Sequence, residues 1–527
     1  MIDETDDGDA WCLPGARVAP PIPGAEAFST SPLLTHLRAA AAADPKATAL
    51  VGQSNSIQYG DMLRLAQNTA HAVANLAPPG RPVACLLPCT PEGITGLLGC
   101  LISGRLCLVL DPAMPPERLA ALLADAVPAV ILAAAPLKHP PAAPVLMLDT
   151  VLASSDADWR MGPDWNPDSP LAVHFTSGSS GRPKGIVLSS RSVLYRALDT
   201  NTAWGLTSAD RVFCPSMPFA GSGLACLLGA LSRGARVVLA DLATEGAGAV
   251  LRLLEWEAVT CAMIQPPALR LLSSLERART SFRALRALRS GASALTRADI
   301  AAWRLLLPPG CEILHTYAST EALIIAQWTL PADDRGPETT VAAGLRQALH
   351  EYALVGEDGR PAPPGEPGEL VLRSRYLALG EWREGRLVPG AMRPVPGRSG
   401  WRFFRTGDLM LVQPDGMLRV LGRADRQVKI NGVRVEPAEI EAVLRAEPAV
   451  TDAVVVARTV SGSVTLHGFV AATVEDRLEL IRALRQRLSA ALPMALRPAD
   501  LTVLDRLPAL PSGKIDLNAL SRWDAAR

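Results

Sequence analysis

The chain has 527 residues, 49% of them apolar, and its 52 lysine and arginine residues balance its 52 aspartate and glutamate residues. This length predicts several domain-sized units with large cores, and the balanced charge argues against a nucleic-acid-binding protein held by bulk charge. The sequence has no continuous apolar stretch of roughly 18 residues that could span a membrane and no signal-peptide pattern at its acidic start. We therefore expect a cytoplasmic enzyme that binds neither nucleic acid nor membrane.

The nine cysteines and seven histidines are scattered without the spacing of a metal site. The nearest cysteine pair, Cys85 and Cys89, lies in an apolar, strand-like segment. We expect reduced and mostly buried thiols rather than a disulfide or metal framework.

The first 30 residues are acidic and then rich in Pro, Gly and Ala, which predicts a loose N-terminal arm. From Leu34 onward, Ala-rich helical segments alternate with short apolar strands, which is the layout of an α/β domain. A helix is expected over residues 116–126. Buried strands, including parallel ones, are predicted at residues 83–87, 107–110, 129–132 and 235–239.

The last part of the chain has a different pattern. Residues 356–400 are rich in Gly, Pro and Arg and predict a β-rich or loop-rich region. A helix is expected to start at Pro437, and strands are expected at residues 453–456, 468–471 and 501–504. A second helix carries apolar residues at helical spacing, namely Ile481, Leu484, Leu488 and Leu492. We predict a loose arm at 1–30, a large N-terminal domain at 31–424 and a small α+β domain at 425–527.

The most informative motif follows the apolar run at residues 171–175. It consists of Thr176, Ser177, Gly178, Ser179, Ser180, Gly181, Arg182, Pro183, Lys184 and Gly185. Its glycines let the backbone turn N–H groups inward, its hydroxyls add donors, and its two cations add positive charge. It is not a Walker A loop, because Gly181 is followed by Arg-Pro-Lys-Gly. The motif predicts a loop that wraps a polyphosphate for a reaction other than P-loop hydrolysis.

Four later segments carry groups suited to a nucleotide site. They are Tyr317, Ala318, Ser319, Thr320 and Glu321; residues 405–408 with Asp408; residues 422–432 with Arg423; and residues 510–516 with Lys514. A carboxylate near a polyphosphate commonly holds Mg²⁺, which prefers oxygen ligands. Taken singly, each segment also fits a capped turn, a solvated loop or a core ring. Only their joint order and spacing favours a functional interpretation.

In this order the segments resemble the superfamily of acyl-CoA synthetases, luciferases and nonribosomal peptide synthetase adenylation domains. The resemblance runs from about Ser29 to Leu520, and residues 108–118 and 507–516 are most similar to the adenylation domains. It implies an α/β fold with a large N-terminal domain of stacked sheets, a β-rich subdomain and a small mobile C-terminal α+β domain.

The resemblance also implies a reaction in two steps. A carboxylate attacks the α-phosphorus of ATP to give an acyl-adenylate and pyrophosphate, and the phosphopantetheine thiol of a holo carrier protein then takes the acyl group. The loop at 176–184 would hold the leaving phosphates, and Glu321, with Thr176, would place Mg²⁺. Lys514 would reach the α-phosphate and the carboxylate, where negative charge builds.

Further roles follow from the same resemblance. Tyr317 would lie on one side of the adenine, and Gly291, Ala292 and Ser293 would line the other side. Asp408 would bind the ribose hydroxyls with Arg423 nearby. A rotation about Asp425 would withdraw Lys514 and bring the segment from Lys429 to Gly432 to the site for thiolation.

The sequence departs from the family pattern where the substrate is chosen. Ser180, Ala318 and Asn431 replace the more usual Thr, Gly and Arg, and remove no catalytic group. Family members that activate α-amino acids hold the ammonium with an aspartate, and the matching position here is Ala220. The other residues that match the family's pocket are neutral: Phe219, Gly221, Leu224, Ile264, Leu288, Ser290, Thr316, Ile324 and Ile325.

An ammonium in a water-poor pocket without a carboxylate is costly. We therefore expect an acid without a free α-amino group, such as a short aliphatic, aryl or otherwise modified acid. The alternative is an amino acid whose amine is held elsewhere, by carbonyls or by another acidic residue.

Two other functions stay open. The chain could be an acyl-CoA ligase, or a degenerate ATP-binding scaffold; the second is disfavoured by the intact Lys184, Glu321, Asp408, Arg423 and Lys514. No carrier-protein serine motif follows Lys514, so the carrier is expected on another chain or on a part of a larger protein.

Overall fold

The structure is a computed structural model. It describes residues 11, 13–114, 116–137, 142–154, 157–160, 162, 165–177, 183–215, 218–291, 295–331, 340–424, 428–430, 433–435, 437–460, 463–492, 497–510 and 515–523. Across these ranges no helix is long and apolar enough to cross a membrane.

The helices, in chain order, are α1 (Ala25–Ser29), α2 (Leu33–Ala43), α3 (Tyr59–Leu76), α4 (Pro91–Ile102), α5 (Pro116–Ala126), α6 (Leu148–Leu152), α7 (Ser190–Trp204), α8 (Gly221–Ser232), α9 (Leu242–Glu245), α10 (Ala247–Trp256), α11 (Pro266–Ser273), α12 (Ala278–Ser281), α13 (Arg297–Leu306), α14 (Pro437–Arg445), α15 (Arg477–Ala491) and α16 (Leu517–Ser521).

The strands up to residue 330 are β1 (Thr48–Val51), β2 (Ser56–Gln58), β3 (Pro82–Leu86), β4 (Leu106–Leu110), β5 (Val130–Ala133), β6 (Val145–Met147), β7 (Pro170–Ser177), β8 (Pro183–Ser189), β9 (Arg211–Phe213), β10 (Arg236–Val238), β11 (Cys261–Met263), β12 (Ala287–Gly291), β13 (Glu312–Ser319) and β14 (Leu323–Leu330). The later strands are β15 (Leu345–Arg346), β16 (Glu351–Val355), β17 (Gly368–Ser374), β18 (Gly380–Arg383), β19 (Arg386–Val388), β20 (Arg393–Pro394), β21 (Arg402–Val412), β22 (Leu418–Arg423), β23 (Val428–Ile430), β24 (Val433–Val435), β25 (Asp452–Val460), β26 (Ser463–Ala471) and β27 (Asp500–Leu504).

Two large mixed sheets form the frame of the molecule. One has nine strands in the order β15-β14-β13-β12-β11-β9-β10-β1-β2, and the other has eight in the order β19-β18-β8-β7-β4-β3-β5-β6. The inner strands of both are parallel, as is the edge pair β5–β6, while other pairs towards the edges, such as β13 with β14 and β7 with β8, are antiparallel. In parallel sheets ligands bind beyond the carboxyl ends of the strands.

The remaining strands form smaller sheets. A β-rich unit joins β16, β17, β21 and β20, with β22 paired to β21. It overlaps the β-rich or loop-rich region predicted at 356–400 through β17 and β20, whereas β18 and β19 of that region belong to the eight-stranded sheet. Near the C-terminus, β25, β26 and β27 form a three-stranded sheet against which α14 and α15 pack. These layers confirm the predicted α/β class with a small α+β unit, while the division at residue 425 stays a prediction.

Local sequence patterns account for most of these elements. The helix expected at 116–126 is α5, and β3, β4 and β5 are parallel strands with every residue buried. In the small domain, Leu484, Leu488 and Leu492 are buried in one core with Ile440 and Leu444, as their helical spacing predicts. Seven of the eight described cysteines are buried and all eight are free thiols, as expected.

The prediction of a loose arm at residues 1–30 is wrong for the part that the structure describes. Trp11 is buried against Phe403 and lies under the guanidinium of Arg373, whose Cζ is 3.9 Å from the ring centroid. Helix α1 packs on α7, and Glu26 forms an ion pair with Arg191 at 2.8 Å. These partners lie hundreds of residues away in sequence, so composition alone could not indicate them.

Helices α3 and α4 pack closely because one face of α4 carries glycine. A Cβ atom on Gly99 would lie 2.3 Å from Cβ of Thr69 and 2.6 Å from the carbonyl oxygen of Ala66. At these distances the two helices would have to move apart. Gly99 thus sets the spacing of the helices on one face of the eight-stranded sheet.

Replacing Gly99→Ala should lower the free energy of unfolding by about 1–3 kcal/mol, because the added methyl group overpacks this contact. The matched control is Gly248→Ala in α10, where the position is exposed and the nearest atom to a new Cβ is 3.7 Å away. There the better helix propensity of alanine should leave stability unchanged or raise it by up to about 1 kcal/mol. Denaturant unfolding followed by circular dichroism measures both, and equal stability of the two variants would contradict the close packing.

Candidate functional site

The predicted phosphate loop joins two antiparallel strands of the eight-stranded sheet. Strand β7 ends at Ser177 and β8 begins at Pro183, and Thr176 and Lys184 are register partners across the pair. The loop residues themselves, 178–182, lie outside the described residues. The two predicted phosphate ligands at its base, Thr176 and Lys184, are therefore held opposite each other by strand pairing.

Lys184 has a carboxylate partner that the sequence analysis missed. Its Nζ atom lies 3.9 Å from Oε1 of Glu381, whose side chain is 6% exposed while that of Lys184 is 36% exposed. Arg383 Nη2 donates to the other carboxylate oxygen of Glu381 at 2.6 Å. A buried carboxylate behind the lysine restricts where its ammonium can lie.

The segment around Glu381 also connects this hairpin to the predicted metal ligand. Strand β18 pairs with β8, and just before it Leu379 N–H donates to Val187 O at 2.8 Å. The neighbouring Ala378 N–H donates to the carbonyl of Glu321, also at 2.8 Å. One short segment thus holds both Lys184 and the turn of Glu321.

Glu321 lies in the tight turn between β13 and β14. The turn is closed by Ala322 N–H, which donates to Oγ of Ser319 at 3.0 Å. Within the described part of the chain the Glu321 carboxylate has no hydrogen bond, and no cluster of three or more metal-ligating side chains occurs. A single carboxylate fits Mg²⁺, which is usually held by one or two carboxylates together with substrate phosphates rather than by a protein cage.

Tyr317, Asp408 and Arg423 form one hydrogen-bonded cluster. The Tyr317 hydroxyl donates to Oδ2 of Asp408, and Arg423 Nη1 donates to Oδ1 at 3.2 Å and to the carbonyl of Thr406 at 3.0 Å. Gly407 has a φ of 72°, and a Cβ atom there would lie 2.8 Å from Nη2 of Arg423, so the turn requires glycine. Burial and the neighbouring carboxylate raise the pKa of Tyr317, which keeps it a donor.

Gly291 lies beside Tyr317 because of the register of two parallel strands. It pairs with Thr316, the residue before Tyr317, and a Cβ on Gly291 would lie only 2.1 Å from the carbonyl oxygen of Thr316. Only glycine allows this approach. Ala292 and Ser293, predicted to line the adenine with Gly291, lie outside the described residues.

The predicted substrate residues fall into two groups. Phe219, Ala220 and Gly221 are half-buried at the start of α8. The others are buried, with at most 2% of their surface exposed: Leu224, Ile264, Leu288, Ser290, Thr316, Ile324 and Ile325. Side chains alternate along a strand, so Leu288 and Ser290 share one face of β12 and Arg289 occupies the other.

Arg289 lies between two predicted substrate residues on β12, and it is the second residue near the site that the sequence did not indicate. Its guanidinium donates to Oγ1 of Thr316 at 2.8 Å, to Oδ2 of Asp199 at 2.8 Å and to Oε1 of Gln327 at 2.7 Å. Gln327 Nε2 in turn donates to the other oxygen of Asp199 at 2.8 Å. One feature of the sequence could have pointed to this network. The segment that forms the buried helix α7 contains two charged residues, Arg196 and Asp199, which need polar partners when buried.

Two histidines beside these groups are buried and neutral. His174 Nδ1–H donates to Phe219 O at 3.3 Å, and His315 Nδ1–H donates to Ser290 O at 3.2 Å. Burial lowers the pKa of each to about 4.

The predicted C-terminal functional residues are only partly described. Lys429 lies in β23, which pairs with β24. Asp425, Gly432 and Lys514 lie outside the described residues.

Comparison with known proteins gives matches over most of the chain. Residues 37–382 match the AMP-binding enzyme family, and residues 439–514 match the AMP-binding enzyme C-terminal domain. The chain is 32% identical over 495 residues to the probable non-canonical nonribosomal peptide synthetase CymA of Salinispora arenicola, covering 92% of this chain and 6% of that protein. It is 31% identical over 492 residues to phosphinothricin tripeptide synthetase PhsC of Streptomyces viridochromogenes, covering 90% of this chain and 44% of that protein. The chain thus spans less than half of these relatives.

Solved structures share the fold. The anthranilate CoA ligase AuaEII in complex with anthranoyl-AMP superposes with a TM-score of 0.79 at 21% identity, over 95% of this chain and 100% of that one. The four-domain nonribosomal peptide synthetase holo-AB3403, bound to AMP and glycine, gives a TM-score of 0.81 at 22% identity, over 99% of this chain and 38% of that one.

Acidification from pH 7 to pH 5 should destabilise the folded chain. The pKa values of His174 and His315 are about 4 when folded, against 6.5 when exposed, so the unfolded chain binds protons that the folded chain excludes. The stabilisation is present above pH 6.5 and is lost as the pH falls towards 4, by about 1.4 kcal/mol per pH unit for each histidine within that window.

Thermal unfolding at pH 7, 6 and 5 tests this dependence against His315→Asn, whose amide can still donate to Ser290 O. The variant should show a shallower fall of Tm with pH. Equal pH dependence of the variant and the unmodified chain would contradict a neutral buried His315.

Proposed function

The chain belongs to the AMP-binding enzyme family, and on this premise we propose that it activates a carboxylic acid with ATP and passes the acyl group to the phosphopantetheine thiol of a carrier protein. The observation that carries this proposal is the cluster of Tyr317, Asp408 and Arg423. It joins an aromatic ring, a carboxylate and a guanidinium from separate segments, next to the turn of Glu321. A ring beside a fixed carboxylate suits a nucleoside, with the base against the ring and the ribose hydroxyls donating to Asp408.

In the first step, a carboxylate oxygen of the acid attacks the α-phosphorus of ATP. The bond between the α-phosphorus and the bridging oxygen breaks, and pyrophosphate leaves with the electron pair. Such a displacement depends on alignment and charge neutralisation more than on covalent help. Thr176 and Lys184, at the base of the 178–182 loop, are suited to hold the leaving phosphates.

Mg²⁺ fits Glu321, and when bound it would neutralise phosphate charge. The backbone of Glu321 is held by the closed turn and by the hydrogen bond that its carbonyl accepts from Ala378 N–H. Lys184, braced by Glu381, adds a fixed positive charge to the same region.

In the second step, the thiol sulfur attacks the acyl carbon of the adenylate, AMP leaves and the thiol proton is released. We propose that the C-terminal domain turns about Asp425 between the steps, so that Lys514 serves the first and the segment with Lys429 and Gly432 serves the second. Nonribosomal peptide synthetases among the relatives support a carrier protein as acceptor.

The proposed substrate is an acid without a conventionally held α-amino group, since Ala220 offers no carboxylate. One solved neighbour holds anthranoyl-AMP and another holds AMP with glycine, so the fold accommodates both kinds of acid. Free thiols at all eight described cysteines favour a reducing compartment, and we propose a cytoplasmic enzyme.

Pyrophosphate exchange into ATP tests the first step. Replacing Lys514→Ala should reduce exchange by about 100-fold or more, because a charge that neutralises the transition state is lost, while ATP affinity stays nearly unchanged. The matched control is Lys429→Ala in the same domain, which should keep exchange and lose acyl transfer. Undiminished exchange in Lys514→Ala would refute the assignment, and ATP binding without exchange by the unmodified chain would favour a scaffold.

The identity of the acyl acceptor distinguishes the proposed carrier-loading enzyme from the main alternative, an acyl-CoA ligase. With a preformed adenylate, the chain should load a holo carrier protein and release AMP, whereas free coenzyme A should react at least about 10-fold more slowly, because binding energy from the carrier surface is missing. Mass spectrometry of the carrier and AMP release measure both rates. Faster acyl transfer to coenzyme A than to the carrier protein would contradict carrier loading and would identify the chain as an acyl-CoA ligase.

A further inference from the structure

Two arginines are buried side by side near the candidate acid site, and within the described residues only one of them has side-chain partners. Arg289 is 1% exposed and is fully engaged with Asp199, Gln327 and Thr316. Arg196, on α7, is 7% exposed, and its guanidinium makes no hydrogen bond or ion pair with any residue that the structure describes. Burial lowers its pKa to about 10, so the guanidinium is still charged at neutral pH.

The Arg196 guanidinium lies against the first residue of α8. A Cβ atom on Gly221 would be 2.9 Å from Nη1 of Arg196 and 3.9 Å from Cδ2 of His174. His174 is buried, and its Nε2 atom has no hydrogen-bond partner in the described part of the chain. The absence of a side chain at Gly221 therefore leaves room beside two polar groups that have no partner in the described ranges, the Arg196 guanidinium and His174 Nε2.

The start of α8 adds further donors at the same place. The helix has 12 residues, and its N-cap, Ala220, provides no side-chain hydrogen bond. The first N–H groups of a helix have no intrahelical partner, and the helix dipole adds partial positive charge there. Ala220, Gly221 and Ser222 are half-buried, so this end of the helix is open to a ligand.

The local charge is unbalanced towards the positive. Arg196 and Arg289 contribute two positive charges, and Asp199, which is paired with Arg289, contributes one negative charge. His174 adds no negative charge, because burial lowers its pKa and a neutral imidazole is uncharged, and the hydrogen bond with Cys214 together with burial raises the pKa of the Cys226 thiol. An unpaired buried charge is strongly unfavourable, so a site that keeps one is suited to an anionic ligand.

We propose that Arg196 and the first turn of α8 bind a second carboxylate on the acid that is activated, so that the substrate is a dicarboxylic acid. The inference rests on the proposed function, since it names the class of acid used by that reaction. A guanidinium can bind a carboxylate through two parallel hydrogen bonds, and the free N–H groups of α8 can complete its coordination. The carboxylate that is not bound by Arg196 is the one that attacks ATP.

Other ligands fit this arrangement less well. An ammonium would face the guanidinium of Arg196 without any carboxylate at position 220. A monocarboxylic acid with an aliphatic or aryl side chain would displace water and leave the buried Arg196 without an anionic partner. A carboxylate near His174 favours the protonated ring, in which Nε2 becomes an additional donor.

Pyrophosphate exchange with matched acids tests the proposal on the full chain with Mg²⁺ in excess. The probes are succinate, glutarate, adipate and isophthalate, each compared with its monomethyl ester, together with butyrate, benzoate and the proteinogenic amino acids. At least one dicarboxylate should exceed its monoester by about 100-fold in kcat/KM, because a site built for a charged group rejects the analogue that lacks it. Strong exchange with esters, monocarboxylates or amino acids but not with dicarboxylates would overturn the inference.

Arg196→Gln should abolish this preference while activity with the monoester stays similar or rises. The matched control is Arg233→Gln at the exposed far end of α8, which should leave the preference intact. Arg196→Glu should exclude dicarboxylates entirely. A preference that survives in Arg196→Gln would show that the second carboxylate is bound elsewhere.

A stability measurement decides the role of Arg196 independently of activity. Replacing Arg196→Met removes an unpaired buried charge at similar volume, so Tm without substrate should rise by about 2 °C or more. A fall in Tm would show that Arg196 has a structural partner and would overturn the inference. If no acid in the panel supports exchange, the proposed adenylation fails, and the Tm of Arg196→Met still decides whether this is an anion site.

Discussion

The buried ion pair between Arg289 and Asp199 fixes helix α7 to the nine-stranded sheet, and the candidate site is arranged around that helix. Thirteen of the 15 residues of α7 are buried, because it lies between the two large sheets. It follows β8 of one sheet directly, while Arg289 and Gln327 of the other sheet bind its Asp199. A buried ion pair is stable only when its hydrogen bonds are complete, and here the surrounding amide and hydroxyl groups complete them.

Helix α7 carries one buried arginine, Arg196, and contacts another, Arg289, and the two differ in their partners. Arg289 has its partners within the protein and serves the fold. The guanidinium of Arg196, three residues before Asp199, has no hydrogen-bonding partner among the residues that the structure describes, and it lies against the start of α8. Lys184 and Asp408 are intermediate, since each has an ionic partner among the described residues and remains partly exposed. The groups proposed to bind ligands are thus those whose charges are only partly neutralised by other residues of the protein.

Much of the fold follows from local sequence. Continuous apolar runs predicted the buried parallel strands β3, β4 and β5, and a start signal at Pro116 with helical periodicity predicted α5. The prediction of a loose N-terminal arm was wrong because the composition of this segment resembles that of an unstructured one. Trp11 is instead held by contacts with distant residues, Arg373 and Phe403. Glu381 could not be predicted as a partner of Lys184, because only the pairing of β18 with β8 brings them together.

The family and the groups available for its chemistry are legible in the amino-acid sequence, since the loop at 176–185 and the segments of Tyr317, Asp408 and Lys514 are contiguous motifs. The sequence also shows that position 220 lacks a carboxylate. The cation beside that position, Arg196, is revealed only by the folded arrangement, as is the lack of an ion-pair partner for it among the described residues. Whether a charge is buried and paired depends on residues far apart in the chain, and the charge near the acid site is therefore a property of the packing of α7, α8 and the sheets rather than of any single segment.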